Sequence, residues 1–386
     1  MRDISGMTRS PHGRGSAYGS AGVDYDALDA GKRDALTEAL ATSGLLTPMG
    51  GRAIDESRGE PAFVFELEGR TMALVVEGLG TKSIIARQVS EQLGVNAFDS
   101  VAYDAVAAVV NDLCCVGALP LVVNAYFATG SAAWYEHAQW HARLLAGWRE
   151  ACVDAGAAWG GGESPTLPGL IAPEELELAG SAVGLVPDGR RPILGDELEP
   201  GDEIVLVKSA GLHANGASLA RMIASELERG YGTPLPSGRS FGEALLDRTV
   251  MYVPLVRALL DAGVDVHYLS HITGHGLLKL MRPRREFSYT IAHLPDVPEV
   301  LEFMVERAGM SPQAAYSTFN MGCGLAVYSA AGAGEAVVRV AAERGLAAHV
   351  AGTVGEGPRR VILDPLGITY DTGSLDLAPR NPRSSG

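Results

Sequence analysis

The sequence predicts a mixed α/β chain folded as two domains of similar size. Three observations carry that expectation. With 386 residues, 47% hydrophobic and 20% charged, the chain can bury one large core or two medium ones, and two domains are the better expectation. Pro187–Pro200 (PDGRRPILGDELEP), with three prolines and little apolar content, reads as a connection near the middle. On both sides of it the same succession recurs, a strand, a polar glycine loop and then helix.

In order, residues 1–30 mix Gly, Ser, Arg and Asp without periodicity and read as a mobile arm, and Lys32–Ser43 reads as a helix. Ala62–Val76 (AFVFELEGRTMALVV) reads as two strands joined at Glu68-Gly69-Arg70, the second running into the loop Glu77–Lys82. Ser83–Leu93 and Ser100–Val116 have helical patterning, Leu121–Ala128 is an apolar run of strand length, and Tyr135–Ala155 is a long amphipathic helix. A glycine-rich loop, Gly160–Pro165, then precedes a strand at Leu178–Val186. The second domain, 188–365, opens with a strand at Glu203–Val207 and a polar loop at Lys208–Gly216. Helices follow at Ala217–Arg229 and Tyr252–Ala262, a glycine loop at Thr273–Gly276, and strands at Phe287–Ile291, Cys323–Tyr328 and His349–Val354. Residues 366–386 read as a poorly ordered tail.

Composition narrows the function classes. Against 46 acidic residues stand 31 basic ones, a formal net charge of −15, so the surface repels polyanions and neither nucleic acid nor anionic lipid is an expected partner. No apolar run approaches the roughly 20 residues of a membrane span; the most apolar stretch, Val101–Ala128, is broken by Asp104, Asn111 and Asp112. The N-terminus lacks a signal-peptide apolar core, and a cytoplasmic location is expected. Cys114, Cys115, Cys152 and Cys323 form neither a CxxC knuckle nor a disulfide framework, so reduced, buried thiols are expected.

Four loops and one helix carry residues suited to chemistry. Glu77-Gly78-Leu79-Gly80-Thr81-Lys82 supplies a carboxylate, two glycines for close backbone approach, a hydroxyl and an ammonium, the parts of a magnesium-nucleotide site, although it lacks the P-loop spacing and taken alone reads first as a plain strand-to-helix turn. Asp104 and Asn111 share one helix face two turns apart, with Asp112 beside them; acids in so apolar a segment need a partner or a cation. Glu163 stands in the glycine-rich loop with Gly161 and Gly162. Ser209, Gly211, His213, Asn215 and Gly216 precede a helix whose exposed amides suit phosphate. His271 and His275 flank Thr273-Gly274. His137 and His141 lie one turn apart without a third metal ligand nearby and read as an exposed helix face.

Taken in order, these segments are similar to the aminoimidazole ribonucleotide synthetase family, also called formylglycinamidine ribonucleotide cyclo-ligase, in the PurM-like superfamily. The matching blocks are Ala17–Asp24, Gly78–Lys82, Asp104 through Asp112 with Gly117–Pro120, Gly161–Glu163 with Pro168-Gly169, Ala179–Gly184, Gly201-Asp202 through Gly216, His271–Gly274 and Thr318–Gly322. The resemblance implies a two-domain PurM-like fold with an N-terminal ATP-binding and dimerisation domain over residues 31–187. Its sheet would join a β-barrel at the interface of a homodimer, and residues 188–365 would form the C-terminal α/β domain. It further implies a small-molecule substrate whose amide oxygen is phosphorylated by ATP, an attack by the amidine nitrogen on the activated carbon, and release of phosphate as the imidazole ring closes.

Carried over by position, Glu77, Asp104, Asp112 and Glu163 are implied as magnesium carboxylates. Gly78, Gly80, Thr81, Lys82, Asn111, Gly161 and Gly162 would bind ATP, with Lys82 holding phosphate. Ser209, Gly211, His213, Asn215, Gly216 and His275 would bind substrate, and His271 would act as acid, base or hydrogen-bond donor at the amide. The chain departs from the family pattern at Glu77 (usually Asp), at Ser164–Leu167 (where a second Glu is lost), at His275 (usually Gly) and at Leu278–Arg282 (usually Glu-Asn-Leu-Pro-Arg). These departures concern the acceptor more than the nucleotide. A divergent enzyme activating another amide or carbonyl compound is therefore the alternative reading, and a non-catalytic nucleotide-binding subunit a third.

Overall fold

The computed structural model describes residues 25–374, so the block Ala17–Asp24 lies outside it. Helix α1 (Tyr25–Leu40) occupies part of the span expected as an arm and ends before the expected Ser43. Strands β1 (Gly51–Ile54), β2 (Phe63–Leu67) and β3 (Arg70–Gly78) follow, then helices α2 (Lys82–Leu93) and α3 (Phe98–Cys114), strand β4 (Leu119–Thr129), helix α4 (Ala138–Ala155), and strands β5 (Ala158–Glu163) and β6 (Leu176–Leu185). Beyond the irregular connection come β7 (Glu203–Lys208), α5 (Ala217–Glu226), α6 (Phe241–Leu245), α7 (Val253–Asp261), β8 (Val266–His271), β9 (Phe287–Ile291), α8 (Glu299–Arg307), α9 (Pro312–Tyr316), β10 (Cys323–Ser329), α10 (Gly334–Glu343), β11 (Ala348–Glu356), β12 (Arg360–Leu363) and β13 (Ile368–Asp371).

The chain is a mixed α/β fold built on two sheets. The first runs β1-β2-β3-β6-β4-β5 and the second β13-β12-β9-β11-β7-β10-β8. Pairing is antiparallel except for β4 with β5 and β9 with β12. Within one chain the first sheet is open. Two expectations are corrected here. Gly160–Glu163 is an edge strand instead of a loop, and its glycines allow the close pairing: a Cβ on Gly162 would sit 2.0 Å from the Ala125 carbonyl oxygen. Ile368–Asp371, expected within a disordered tail, pairs with β12.

Helix α3 joins the two halves. It is apolar nearly all round and correspondingly buried nearly all round, against β3 and β6 on one side and α4 and α7 on others. Strands β8 and β10 are buried at every residue; β10 is largely apolar, whereas β8 (VHYLSH) buries His267, Ser270 and His271 as well. All four cysteines are free and buried. No helix of the described residues is long and apolar enough to cross a membrane. Strand β3 alternates instead: Ala73 and Val75 are buried, while Leu74 and Val76 remain 48% and 72% exposed on the outer face of the first sheet, with Leu121 of β4.

Candidate active site

Where β3 leaves the first sheet, the turn Leu79–Thr81 meets the second half. The Thr81 hydroxyl lies 3.1 Å from that of Ser218 in the first turn of α5. Beside this junction lies a cavity of about 820 Å³, walled by the end of β3, the last turns of α3, the 213–218 loop, the end of β8, the loop after it and helix α1. That size suits a nucleotide or similarly large small molecule.

Of the sequence-derived site residues, Glu77, Gly78, Gly80, Thr81, Asp112, His213, Asn215, Gly216, His271 and His275 line this cavity. The chemistry is concentrated where α3 meets β8. His271 closes β8, opposite Leu325 of β10, and its Nδ1 lies 2.6 Å from Oδ1 of Asp112 on the last turn of α3. Burial pushes the Asp112 carboxyl up, but the hydrogen bond from His271 and the charges of His271, Lys279 and Arg282 outweigh it and hold the group below its ordinary range. An ionised Asp112 can only accept, so Nδ1 of His271 carries the proton. Nε2 is then the open nitrogen, buried and without a hydrogen-bond partner among the described residues.

His213 has the opposite tautomer. Its Nε2 accepts the Ala210 amide at 3.1 Å, and burial, with the charges of His271 and Lys82, drives its pKa well down. The neutral ring therefore carries its hydrogen on Nδ1, which also has no partner among the described residues. The backbone at His213 is left-handed, φ +57°, as it is at His275, φ +68°. A hydrogen-bond donor and a base are thus held ready on one cavity.

Glu77 is solvent-accessible along its strand, yet the cavity walls enclose its carboxyl and raise it to about 7; repulsion from Asp112 adds to burial, while Lys279, Lys32 and Arg282 oppose it. Lys279 and Arg282, which the sequence reading passed over as site residues, stand on the same wall. The signal was a cation inside an otherwise apolar run, Leu277–Met281. Lys279 donates to the Thr273 hydroxyl, and burial lowers its ammonium to about 8 against the opposing pull of Asp112 and Glu77.

Lys82, Asp104 and Asn111 do not line the cavity. The Lys82 ammonium is fully buried, in ion-pair contact with Asp104 Oδ2 at 2.6 Å, and donates to the carbonyls of His213 at 2.8 Å and Asp247 at 3.3 Å. Asp104 accepts the Thr249 amide at 2.6 Å, while Asn111 donates to the Val250 carbonyl and accepts the Tyr252 amide at 2.8 Å. The face shared by Asp104 and Asn111 therefore fastens α3 to the segment before α7. Lys82 as a phosphate holder and Asp104 as a metal ligand are not what this arrangement presents, because both charges are already matched inside protein. Gly161, Gly162 and Glu163 lie exposed on β5, away from the cavity. Ser209 and Gly211 bond to Asn320, which shapes the 209–216 loop from behind.

Magnesium takes oxygen ligands and is commonly held by one or two carboxylates together with substrate phosphates. Glu77 and Asp112 fit that role on a shared cavity. No cage of three or more metal-ligating side chains exists among the described residues.

Comparison with known proteins agrees with this architecture. Residues 59–186 match the N-terminal domain of AIR synthase related proteins and residues 199–364 match the C-terminal domain. The chain is 33% identical over 309 residues to the phosphoribosylformylglycinamidine cyclo-ligase of Methanothermobacter thermautotrophicus, covering 80% of this chain and 86% of the relative. It is 40% identical over 288 residues to that of an Anaeromyxobacter species, covering 73% and 79%. Among solved structures, the hydrogenase maturation protein HypE in complex with ATP superposes with a TM-score of 0.56 at 19% identity, covering 80% of this chain and 86% of that one. AaThiL complexed with AMPPCP and TMP superposes at 0.55 and 16% identity, covering 81% and 90%. With both family domains matched in order along most of its length, the chain belongs to the AIR synthase related protein family.

Proposed function

We propose that this chain is an ATP-dependent cyclo-ligase that converts formylglycinamidine ribonucleotide to aminoimidazole ribonucleotide, ADP and phosphate, the activity its curated relatives are named for. The observation that carries the reading is the His271–Asp112 pair on the lining of a nucleotide-sized cavity that also holds Glu77, with Nε2 of His271 buried and without a partner among the described residues. Glu77 and Asp112 are suited to hold magnesium on the nucleotide, where the ion would neutralise charge on the phosphates. The 213–218 loop offers backbone amides at the start of α5 for phosphate or substrate. His213, through Nδ1–H, is suited to donate to the substrate, and His271, through Nε2, to take the proton released when the amidine nitrogen attacks.

The reading includes a homodimer of cytoplasmic chains with domains at 31–187 and 188–365. The exposed apolar residues Leu74, Val76 and Leu121 support it, since two such open sheets face to face cover them in a closed barrel. The decisive experiment incubates the protein with magnesium-ATP and formylglycinamidine ribonucleotide and measures ADP together with aminoimidazole product. ADP without cyclised product defeats the assignment.

One observation favours a second reading, a divergent enzyme with another acceptor. His275 places a buried imidazole on the cavity wall, at the position where the family pattern usually has glycine. If the wild type binds ATP but not formylglycinamidine ribonucleotide, and His275→Gly gains that binding, the second reading replaces the first.

A further inference from the structure

With Lys82 sealed inside the fold, the phosphate needs another cation. The cavity lining carries three, none of them assigned by sequence: Lys32 of α1, which is exposed, and two less exposed ones that follow β8 in the chain, Lys279 and Arg282. Lys279 sits in the 3-10 turn Gly276–Met281, and Arg282 caps that turn. Both line the cavity, and Lys279 is 7% exposed. The only hydrogen bond of the Lys279 ammonium to a described residue goes to the Thr273 hydroxyl, and no carboxylate of the described residues forms an ion pair with it. The Arg282 Nε donates to the Gly59 carbonyl at 3.0 Å and lies 3.9 Å from Glu60, itself hydrogen-bonded by Tyr268 at 2.6 Å.

Lys279 and Arg282 carry like charges on one cavity lining, and an anion bound in that cavity is attracted to both. Their position says which anion. Asp112 and Glu77 line the same cavity as Lys279, and Asp112 is bonded to His271. Lys279 therefore lines the same cavity as the carboxylates suited to the nucleotide's metal and the imidazole suited to the acceptor, where a phosphoryl group would change hands.

We propose that Lys279, backed by Arg282, forms an oxyanion subsite for the transferring phosphoryl group. The inference rests on the phosphoryl-transfer reading above but not on the identity of the acceptor. In the step it serves, the acceptor oxygen forms a new bond to the γ-phosphorus while the bond from that phosphorus to the β–γ bridging oxygen breaks, and the electron pair leaves with ADP. The equatorial oxygens hold the negative charge throughout, and an ammonium held in place by the Thr273 hydroxyl stabilises them without rearrangement.

The test separates phosphoryl recognition from nucleotide binding. Titration calorimetry measures magnesium-ADP alone and magnesium-ADP with beryllium fluoride, a mimic of the phosphoryl group, against wild type, Lys279→Met and Lys279→Arg. The wild type is expected to bind the fluoride complex at least tenfold more tightly than ADP. Lys279→Met should keep its ADP affinity within about twofold and lose that increment, and Lys279→Arg should retain part of it. In turnover, Lys279→Met should lower kcat about 100-fold with little change in KM for ATP. An unchanged increment in Lys279→Met overturns the proposal, as does an equal loss of ADP and fluoride-complex affinity, which marks a structural role. Because no acceptor is present in the calorimetry, failure to cyclise formylglycinamidine ribonucleotide would count against the proposed substrate and leave this result standing.

Discussion

Lys82 and Lys279 are both buried lysines packed near helix α3, but their surroundings differ in kind. Lys82 has a closed set of partners: a carboxylate at 2.6 Å and two backbone carbonyls. Lys279 has one hydroxyl partner, a lowered ammonium and a cavity in front of it. The same contrast separates the acids of α3, since Asp104 is closed off by Lys82 and the Thr249 amide, whereas Asp112 is shared between His271 and the cavity. Burial alone does not mark a working residue. What marks it is an incomplete set of partners facing a space that a ligand can fill.

The contrast is broken most directly at the open end. His271→Ala should lower turnover by about 10²- to 10⁴-fold, the usual contribution of a positioned acid or base, with ATP affinity little changed. Steady-state kinetics with a parallel ATP titration checks this, and equal losses in both would place His271 among the nucleotide contacts instead. At the closed end the effect should fall on stability. Lys82→Met leaves Asp104 charged and unpaired and should cost about 3–5 kcal/mol in denaturant unfolding. Adding Asp104→Leu should recover part of that loss, whereas a double variant worse than Lys82→Met would show that the pair is not a closed structural unit.

Two smaller effects sharpen the comparison. At magnesium-ATP about 100-fold above its Kd, the wild type should gain roughly 2.7 kcal/mol by linkage, seen as a raised Tm. Asp112→Ala should remain folded and lose the gain. Glu77 supplies a pH signature. Its folded pKa, about 7, is raised above the ordinary 4.5, so the stability linked to its protonated form is present below 4.5 and is lost as pH rises through 7. A metal-bound nucleotide needs the ionised form, so its affinity should increase over that same rise and flatten in Glu77→Gln. Glu77→Asp, the milder change, should keep activity within about tenfold, or roughly 1.4 kcal/mol of barrier. An affinity that ignores pH between 6 and 8 would remove Glu77 from the nucleotide site.

Much of the candidate site was legible before any coordinates. Loops rich in glycine beside polar groups marked the 77–82, 209–216 and 271–276 segments, because close backbone approach requires small residues and turns there. The reading failed at Gly160–Glu163, where glycines serve tight strand pairing against β4, a distinction that depends on the neighbouring chain and has no local signature. It also passed over Lys279 and Arg282, because a cation in an apolar run reads only as an anomaly until its surroundings are known.

By itself, then, the sequence determined the hairpin of β2 and β3, helices α2 and α3, the paired sheets expected of the two halves and the family to which the ordered blocks belong. These follow from periodicity, glycine placement and order along the chain, all of which are local or linear properties. Only the tertiary structure decided which charges are free to act. Asp104 and Asp112 lie eight residues apart on one helix, and nothing in their neighbours distinguishes them. One meets a lysine from α2 and a backbone amide ahead of α7, and the other meets a histidine from β8 at the edge of a cavity. A carboxylate's role is set by the charge and solvent around it, and those are supplied by residues of other elements, from 22 positions away for Lys82 to 159 for His271.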